Sequence, residues 1–560
     1  MSPRLSLIYG LRYDIYTPFT EAHGYLSNFD PRTENLLVPT RALKALATQG
    51  VDVSSLTPSS ETAGLKTNYN NFAPRIGIAA TIAHGTVLRG GGGITYYPGN
   101  YTSNASLKNA PFTALYNSFL PGTSTVCYSP LAVTIATAAS KAGNPSGAQD
   151  FPARPTGGGL TTTLDEGLAV PPPQVLTSPG LSLPDNVALN FRTSLAYQFH
   201  LEVQKELGRN VVTIGYVGQM GRHVPVVVDD INVQKPQYAT YDTSNPSSTT
   251  AGCVSGDIPN WNCGALTIRP TAVQSLNGGV PVAGQAPKSL PNLGGVGYYQ
   301  STGFSHYNAL AVSLERRFSK GLTANVNYTW SHETDDATQL SNEGQEGFSN
   351  IDPFDIARSE TGNGDDDLRH RFVAATTYAL PFFRVATGTT KTSLGGWQIS
   401  EVFVANSGSP FSITDNYGYP ANSIYLMDGP SRPMMIGDPH LSNPSVSEWV
   451  NRAAFHYPAV GQAGNTPRNN LYGPRFVNLD ISVSKTFAIT ERQKLEFRVV
   501  ASNLLNHPNY FVQNNENNLA TTNEPEAYYN SVPPTVFGQI MSMNPNYTPR
   551  LFQFSLRYSF

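Results

Sequence analysis

The final ten residues read LFQFSLRYSF (551–560). Phe552, Phe554, Leu556, Tyr558 and Phe560 alternate with Gln553, Ser555, Arg557 and Ser559. Successive side chains of a strand point to opposite faces, so this pattern makes one strand with an aromatic face and a polar face. The chain ends on the aromatic residue itself.

Upstream, the same period of two recurs. Leu5, Leu7, Tyr9, Leu11, Tyr13 and Ile15 alternate with Ser6, Gly10, Arg12 and Asp14; Tyr197, Phe199, Leu201 and Val203 with Gln198, His200, Glu202 and Gln204. Ala324, Val326, Tyr328 and Trp330 alternate with Thr323, Asn325, Asn327 and Thr329; Val477, Leu479, Ile481 and Val483 with Asn478, Asp480, Ser482 and Ser484; Leu495, Phe497 and Val499 with Glu496 and Arg498. Such runs span about nine to eleven residues, the length of a tilted strand that crosses a bilayer. The chain supplies about thirteen or fourteen of them by this criterion. They lie at 5–16, 73–82, 86–97, 195–206, 211–219, 306–318, 321–332, 370–380, 394–405, 475–487, 493–503, 534–541 and 551–560, with a further short piece at 411–415. Tight turns at 205–210, 319–321 and 488–492 join pairs of runs. Long stretches rich in Gly, Pro, Ser, Thr and Asn (98–190, 229–300, 334–368, 407–474 and 508–535) separate the pairs. Short turns on one side and long loops on the other are the asymmetry of an outer-membrane barrel. Helical spacing is confined to 41–48 and 445–454.

The composition agrees. The 560 residues carry a formal net charge of -3 and only 13% charged residues, with 11% aromatics led by 29 Tyr and 26 Phe. That is about half the charge of an ordinary soluble domain. A wall with lipid on one face and a polar lumen on the other needs few charges. No window of about 18 apolar residues is present, which excludes a spanning helix and leaves a spanning barrel open. A propeller would repeat every 40–50 residues or so, and a sandwich would use shorter strands. Neither pattern is found. The first twenty residues lack a signal-peptide core and read as a strand; the expectation is a piece of a longer protein. Residues 1–560 are expected to form a single barrel domain.

Few residues invite chemistry. Cys253 and Cys263 bracket the loop CVSGDIPNWNC, leaving either a short-loop disulfide or two free thiols; Cys127 has no evident partner. The glycine run at 89–97 (RGGGGITYY) lacks the helix that a nucleotide loop requires and reads as strand. Asp352, Asp355, Asp365, Asp366 and Asp367 lack the spacing of a calcium loop and read as a solvated stretch, with Arg369, His370 and Arg371 marking the membrane boundary. No catalytic set, cofactor motif or metal site is expected, and no basic stripe points to nucleic acid. Arg12, Asp14, Glu202, Glu315, Asp480, Glu496, Arg498 and Arg557 fall on the polar side of their strands. They are expected to face the lumen and to pair with one another.

Several stretches resemble TonB-dependent outer-membrane transporters of the Oar-like group abundant in acidobacteria. They include 7–31, 71–79, 195–225 (LAYQFHLEVQKELGRNVVTIGYVGQMGRHVP), 306–337, 367–382, 395–413, 478–510 (NLDISVSKTFAITERQKLEFRVVASNLLNHPNY) and 551–560. The resemblance implies an all-β transmembrane antiparallel barrel of about 22 strands, of which this chain would hold the C-terminal part. It implies energy-coupled uptake of a large or scarce solute in the outer membrane of a Gram-negative-type bacterium. TonB would act through a plug domain, which the chain lacks, as it lacks the family's N-terminal regulatory-like domain. The last strand would then close the ring against a first strand that lies outside this sequence. Phe552, Phe554, Leu556, Tyr558 and Phe560 resemble the terminal signal read by the barrel-assembly machinery, through strand addition. The further partners implied are outer-membrane lipid and an unidentified solute. Two alternatives share this fold: a surface adhesion or interaction protein, and a truncated, non-transporting fragment.

Overall fold

The alternating stretches assemble into one large antiparallel sheet. The structure, a computed structural model, describes residues 4–48, 51–97, 107–112, 181–228, 231, 276–277, 280–281, 293–336, 356–383, 385, 387–414, 432–456, 464–512, 537–540, 542–545 and 547–560. Twelve strands form the main path: β1 (Leu5–Tyr13), β2 (Phe72–Ala83), β3 (Thr86–Tyr97), β4 (Ser194–Leu207), β5 (Asn210–Val228), β6 (Leu293–Ser319), β7 (Leu322–Asp335), β8 (His370–Ala379), β9 (Trp397–Asn406), β10 (Phe476–Ala488), β11 (Lys494–Ser502) and β12 (Leu551–Ser559). Each pairs antiparallel with the next in sequence, so the sheet is an uninterrupted meander. Among the described residues the outward edges of β1 and β12 carry no ladder, and the wall is open. Among the described residues no helix is long and apolar enough to cross a membrane.

The register keeps the two faces separate across the whole wall. One row of facing residues runs Leu5, Ala80, Leu88, Val203, Ile214, Val312, Tyr328, Phe372, Ala405 and Val477. The adjacent row runs Ser6, Ala79, Arg89, Glu202, Gly215, Ala311, Thr329, Arg371 and Asn406. A slip of one residue at any strand pair would turn every later strand inside out, so the face pattern and the register specify each other. The apolar face has one carboxylate well inside a strand, Glu401, which accepts a 2.9 Å hydrogen bond from Thr376 Oγ1 on the neighbouring strand.

Short and long connections alternate, with one exception. On one rim, 84–85, 208–209, 320–321 and 489–493 are tight, and Gly85, Gly208 and Gly321 take the positive φ that such turns need. On the other rim lie 14–71, 98–193, 229–292, 336–369, 407–475 and 503–550. The β8–β9 connection, 380–396, belongs to the tight rim by parity but is much longer.

Three readings are corrected. Residues 534–541 do not add a wall strand: β11 pairs directly with β12, and the described residues 537–540 form a turn beyond the sheet. Residues 445–454 do not form an α-helix. Ser445 and Glu448 bridge each other, the Trp449 N–H turns to Gly538 O, and only Arg452–Ala454 coils, as a 3-10 turn. Among the described residues at 411–415, strand is confined to Pro410–Phe411, paired with Leu471–Tyr472. The helix read at 41–48 is present as Thr40–Thr48, with Ala42, Leu43 and Leu46 buried.

Strands β5 and β6 are far longer than the alternation indicated. Their ladder continues to Val228 opposite Tyr298, beyond any membrane thickness. Both faces there are covered: Val226, Val228, Val296 and Tyr298 are buried on one, and Tyr299, beside half-buried Val227, on the other. The principal buried apolar clusters lie in the long-connection rim rather than against the wall.

Candidate functional site: the long-connection rim

Two folded caps are built on this rim. The first gathers the β1–β2, β3–β4 and β5–β6 connections. Within 14–71, strands Asn28–Asp30, Asn35–Pro39 and Leu56–Ser59 form a small sheet, with the helix Thr40–Thr48 joining the two parallel members. Phe29, Leu36 and Val38 pack from it against Leu183, Ala188, Val226 and Val296. Segment Leu181–Val187 adds a parallel strand to the far end of β6.

Buried asparagines join these segments. Asn28 donates to Val187 O at 2.8 Å and accepts from Val187 N–H at 2.9 Å, copying a backbone pair with its side chain. Asn186 accepts from Phe29 N–H at 2.9 Å and from Asn109 Nδ2 at 3.0 Å, and donates to Leu183 O and Gly297 O. Asn109 donates to Ser27 O and accepts from Asp185 N–H. All three side chains are buried, where an unmade hydrogen bond is costly.

The second cap joins the end of β7 to the β9–β10 connection through a charged network. The Arg468 guanidinium bonds Asp335 Oδ1, donates to Asp335 O at 3.0 Å and Glu360 O at 2.8 Å, and lies 3.5 Å from Asp365. Arg432 pairs with Glu360 at 3.0 Å, both buried. Asp367, also buried, accepts from Arg369 at 2.9 Å, Tyr472 Oη at 2.7 Å and the Glu333 N–H at 2.8 Å. Burial, with the Asp367 carboxylate adding to it, pushes the Tyr472 phenol up to about 12. Burial, reinforced by the Asp335 charge, pushes Asp336 up to about 6 although it accepts the Phe304 N–H. Beside the network, Phe411, Ile413, Val450, Phe455, Leu471 and Phe537 form a separate apolar cluster. Buried ion pairs of this kind stabilise little on balance, but they tolerate one geometry only. The arrangement therefore positions loops.

The solvated reading of the acidic stretch holds for Asp365 and Asp366, both exposed, although Asp365 also pairs with Arg468 and Asn469, and is corrected for buried Asp367. Asp352 and Asp355 lie outside the described residues, as do Cys127, Cys253 and Cys263. Among the described residues no group of three or more His, Cys, Asp or Glu is placed to hold a metal ion.

The polar-face candidates lie where alternation put them, on one face of the wall. Arg12 pairs with Asp14 at 2.7 Å, Glu202 with Arg89 at 3.5 Å, and Glu496 with Arg498 at 2.7 Å. Asp480 accepts from Asn503 N–H at 2.8 Å; Arg557 sits opposite Glu496 and Glu315 opposite Asn325. The glycine run lies inside β3. A Cβ at Gly91 would come within 2.9 Å of Ile76 O and 3.1 Å of the His200 ring, so close strand packing accounts for it. In the terminal strand, Phe552, Phe554, Leu556 and Tyr558 share the apolar face, and the Phe560 ring sits 5.9 Å from that of Tyr558.

A two-faced antiparallel meander with its longest connections all on one rim is the form of a membrane barrel wall. A family model described as an outer membrane beta barrel domain matches residues 1–553. The chain belongs to this outer-membrane β-barrel family. The barrel's apolar face is thus its lipid face, its short-turn rim is periplasmic and its long-loop rim is extracellular. No curated protein matches the sequence. Solved structures similar to it include the outer membrane transporter YddB from Escherichia coli (8% identity, TM-score 0.37, covering 87% of this chain and 40% of that one). The siderophore receptor PirA from Acinetobacter baumannii is similar at 11% identity and TM-score 0.34, with 89% and 42% covered. The pyoverdine receptor FpvA from Pseudomonas aeruginosa PAO1 is similar at 8% identity and TM-score 0.35, with 100% and 40% covered. The barrel chain therefore spans less than half the length of each of these three structures.

Sequence reading missed Arg432, Arg468, Tyr472 and the three asparagines. Each acts on a partner about seventy to 160 residues away, and only the polar stretch 465–470 (NTPRNN), sitting within a loop otherwise rich in Gly and Pro, hinted at it.

Proposed function

We propose that this chain is the barrel domain, 1–560, of a TonB-dependent transporter of the Oar-like type, importing a large or scarce solute. Lumen-facing residues from β1 to β12 would contact a plug and line the passage. The rim caps would meet the solute first, and TonB would supply the energy through the plug rather than through this chain. In this reading the chain itself does no catalysis and needs no cofactor. The observation that carries the proposal is the polar face, which continues unbroken across twelve strands beneath loops that are themselves folded. Such a wall fits a wide, filled lumen better than a narrow barrel packed with its own side chains. The eight stretches that resemble this transporter group point the same way.

The test is genetic. Deletion of the gene and deletion of TonB should abolish accumulation of the same solute from a panel of scarce nutrients. A strain that loses surface attachment but keeps all uptake would replace this reading with the adhesion one.

A further inference from the structure

The β8–β9 connection interrupts an otherwise tight periplasmic rim. Residues 380–396 (LPFFRVATGTTKTSLGG) contain no Asp or Glu but include Arg384 and Lys391. Phe382, Phe383, Val385 and Leu394 are exposed, Val385 to 98%. Soluble surfaces seldom display so many apolar side chains in one short segment.

The segment is tied to the lipid side of the wall. Trp397, on the apolar face with Ile399 and Phe403, donates its indole N–H to Ser393 O at 3.2 Å. Lys485 is on the same face and donates to Gly395 O. Its ammonium lies 5.5 Å from the centre of the Trp397 ring and 5.0 Å from that of Phe487. Phe497, another apolar-face residue, meets Trp397 edge-on at 6.4 Å. The backbone of the segment at Ser393 and Gly395 is therefore held against the lipid-facing surface, beside aromatic residues of the kind that mark the bilayer boundary.

We propose that Phe382, Phe383, Val385 and Leu394 form an interfacial anchor inserted into the periplasmic phospholipid leaflet. Aromatic and aliphatic groups enter the head-group and acyl boundary, and exposed Lys391, with no acidic residue in the segment's sequence, suits anionic head groups. The anchor rests on the membrane setting of the barrel, and not on transport.

The test places a polarity-sensitive fluorophore at single cysteines in the full chain carrying Cys127→Ser, Cys253→Ser and Cys263→Ser. Three positions are compared: Val385→Cys in the anchor, Leu201→Cys on the barrel's lipid face, and Arg209→Cys in a tight periplasmic turn. The chain is inserted into vesicles of phosphatidylglycerol and acyl-brominated phosphatidylcholine, with iodide on both sides. The label at 385 should be quenched by the brominated lipid as at 201, and should resist iodide several-fold better than at 209. Iodide quenching at 385 equal to that at 209, with 201 quenched by lipid, would overturn the anchor and leave the barrel standing. Absence of lipid quenching at 201 would overturn the membrane setting and the anchor with it. In isolated outer membranes, an impermeant maleimide should modify 209 and spare 201 and 385; modification at 385 would overturn the anchor independently of refolding.

Discussion

Replacing Arg468 by Met tests whether the charged network positions the second cap. Methionine keeps most of the side-chain length and removes the guanidinium. Arg468 is 8% exposed and Asp335 15% exposed at the side chain, so the carboxylate left behind cannot recover its hydration without local opening. Glu360 O also loses its 2.8 Å donor. Removing one partner of a buried pair costs about 3–5 kcal/mol, whereas removing both is close to neutral. Arg468→Met should therefore accelerate amide exchange at Glu333 and Gly364, whose N–H groups are bonded to Asp367 Oδ1 and Glu333 O, by a hundredfold or more. Amides in the β10–β11 ladder, such as Val483 opposite Val499, should not change. The double variant Asp335→Asn/Arg468→Met should recover to within about 1 kcal/mol of the parent. Hydrogen exchange with mass spectrometry on the folded barrel measures all three. A single variant that exchanges like the parent, or a double variant as labile as the sum of the two singles, would refute the reasoning.

Other perturbations have equally definite outcomes. Asp336 has a folded pKa raised to about 6 by burial, so its contribution to rim stability is complete below the unfolded carboxylate range and is lost as pH rises through 6; proteolysis of the adjoining loops should quicken from pH 4.5 to 7, and Asp336→Asn should flatten that slope. Asn186→Ala leaves the Phe29 N–H and Gly297 O unpaired in a buried site, at about 2–5 kcal/mol for the first cap, seen as exchange at Phe29 and Val187 without wall unfolding. Glu401→Leu removes a carboxylate from the lipid face and should raise barrel stability in urea by about 1–2 kcal/mol; a loss instead would show that its bond to Thr376 outweighs the cost of the carboxylate. If the terminal strand is read by the assembly machinery, Phe560→Ser should lower the amount of folded barrel in the outer membrane while the purified protein keeps its stability.

What the amino-acid order determined is the wall. A period of two needs no tertiary information, because backbone pleating alone sends neighbours to opposite faces. Each of the twelve wall strands overlaps a run read from the sequence, including Leu495–Val499 and Phe552–Tyr558; in β9 the alternation is weakened by Glu401, Val402 and Val404, yet 394–405 still matches Trp397–Asn406. The tight turns and the α-helix at Thr40–Thr48 were legible for the same local reasons, whereas the short helices Ile356–Glu360 and Gly388–Leu394 were not. Only the tertiary structure decided the rim. Asp335 and Arg468 are 133 residues apart, and Asn28 and Val187 are 159 apart. No local period connects such groups, since each is satisfied by a partner that the wall's register carries to the same place. The same cause explains the misreadings. At 445–454 the helical spacing of Val446, Trp449 and Val450 is overridden when Trp449 bonds Gly538 and its ring reaches Tyr472 O. The far ends of β5 and β6 show no alternation because the caps bury both of their faces, and a strand covered on both sides has no polar side to betray it.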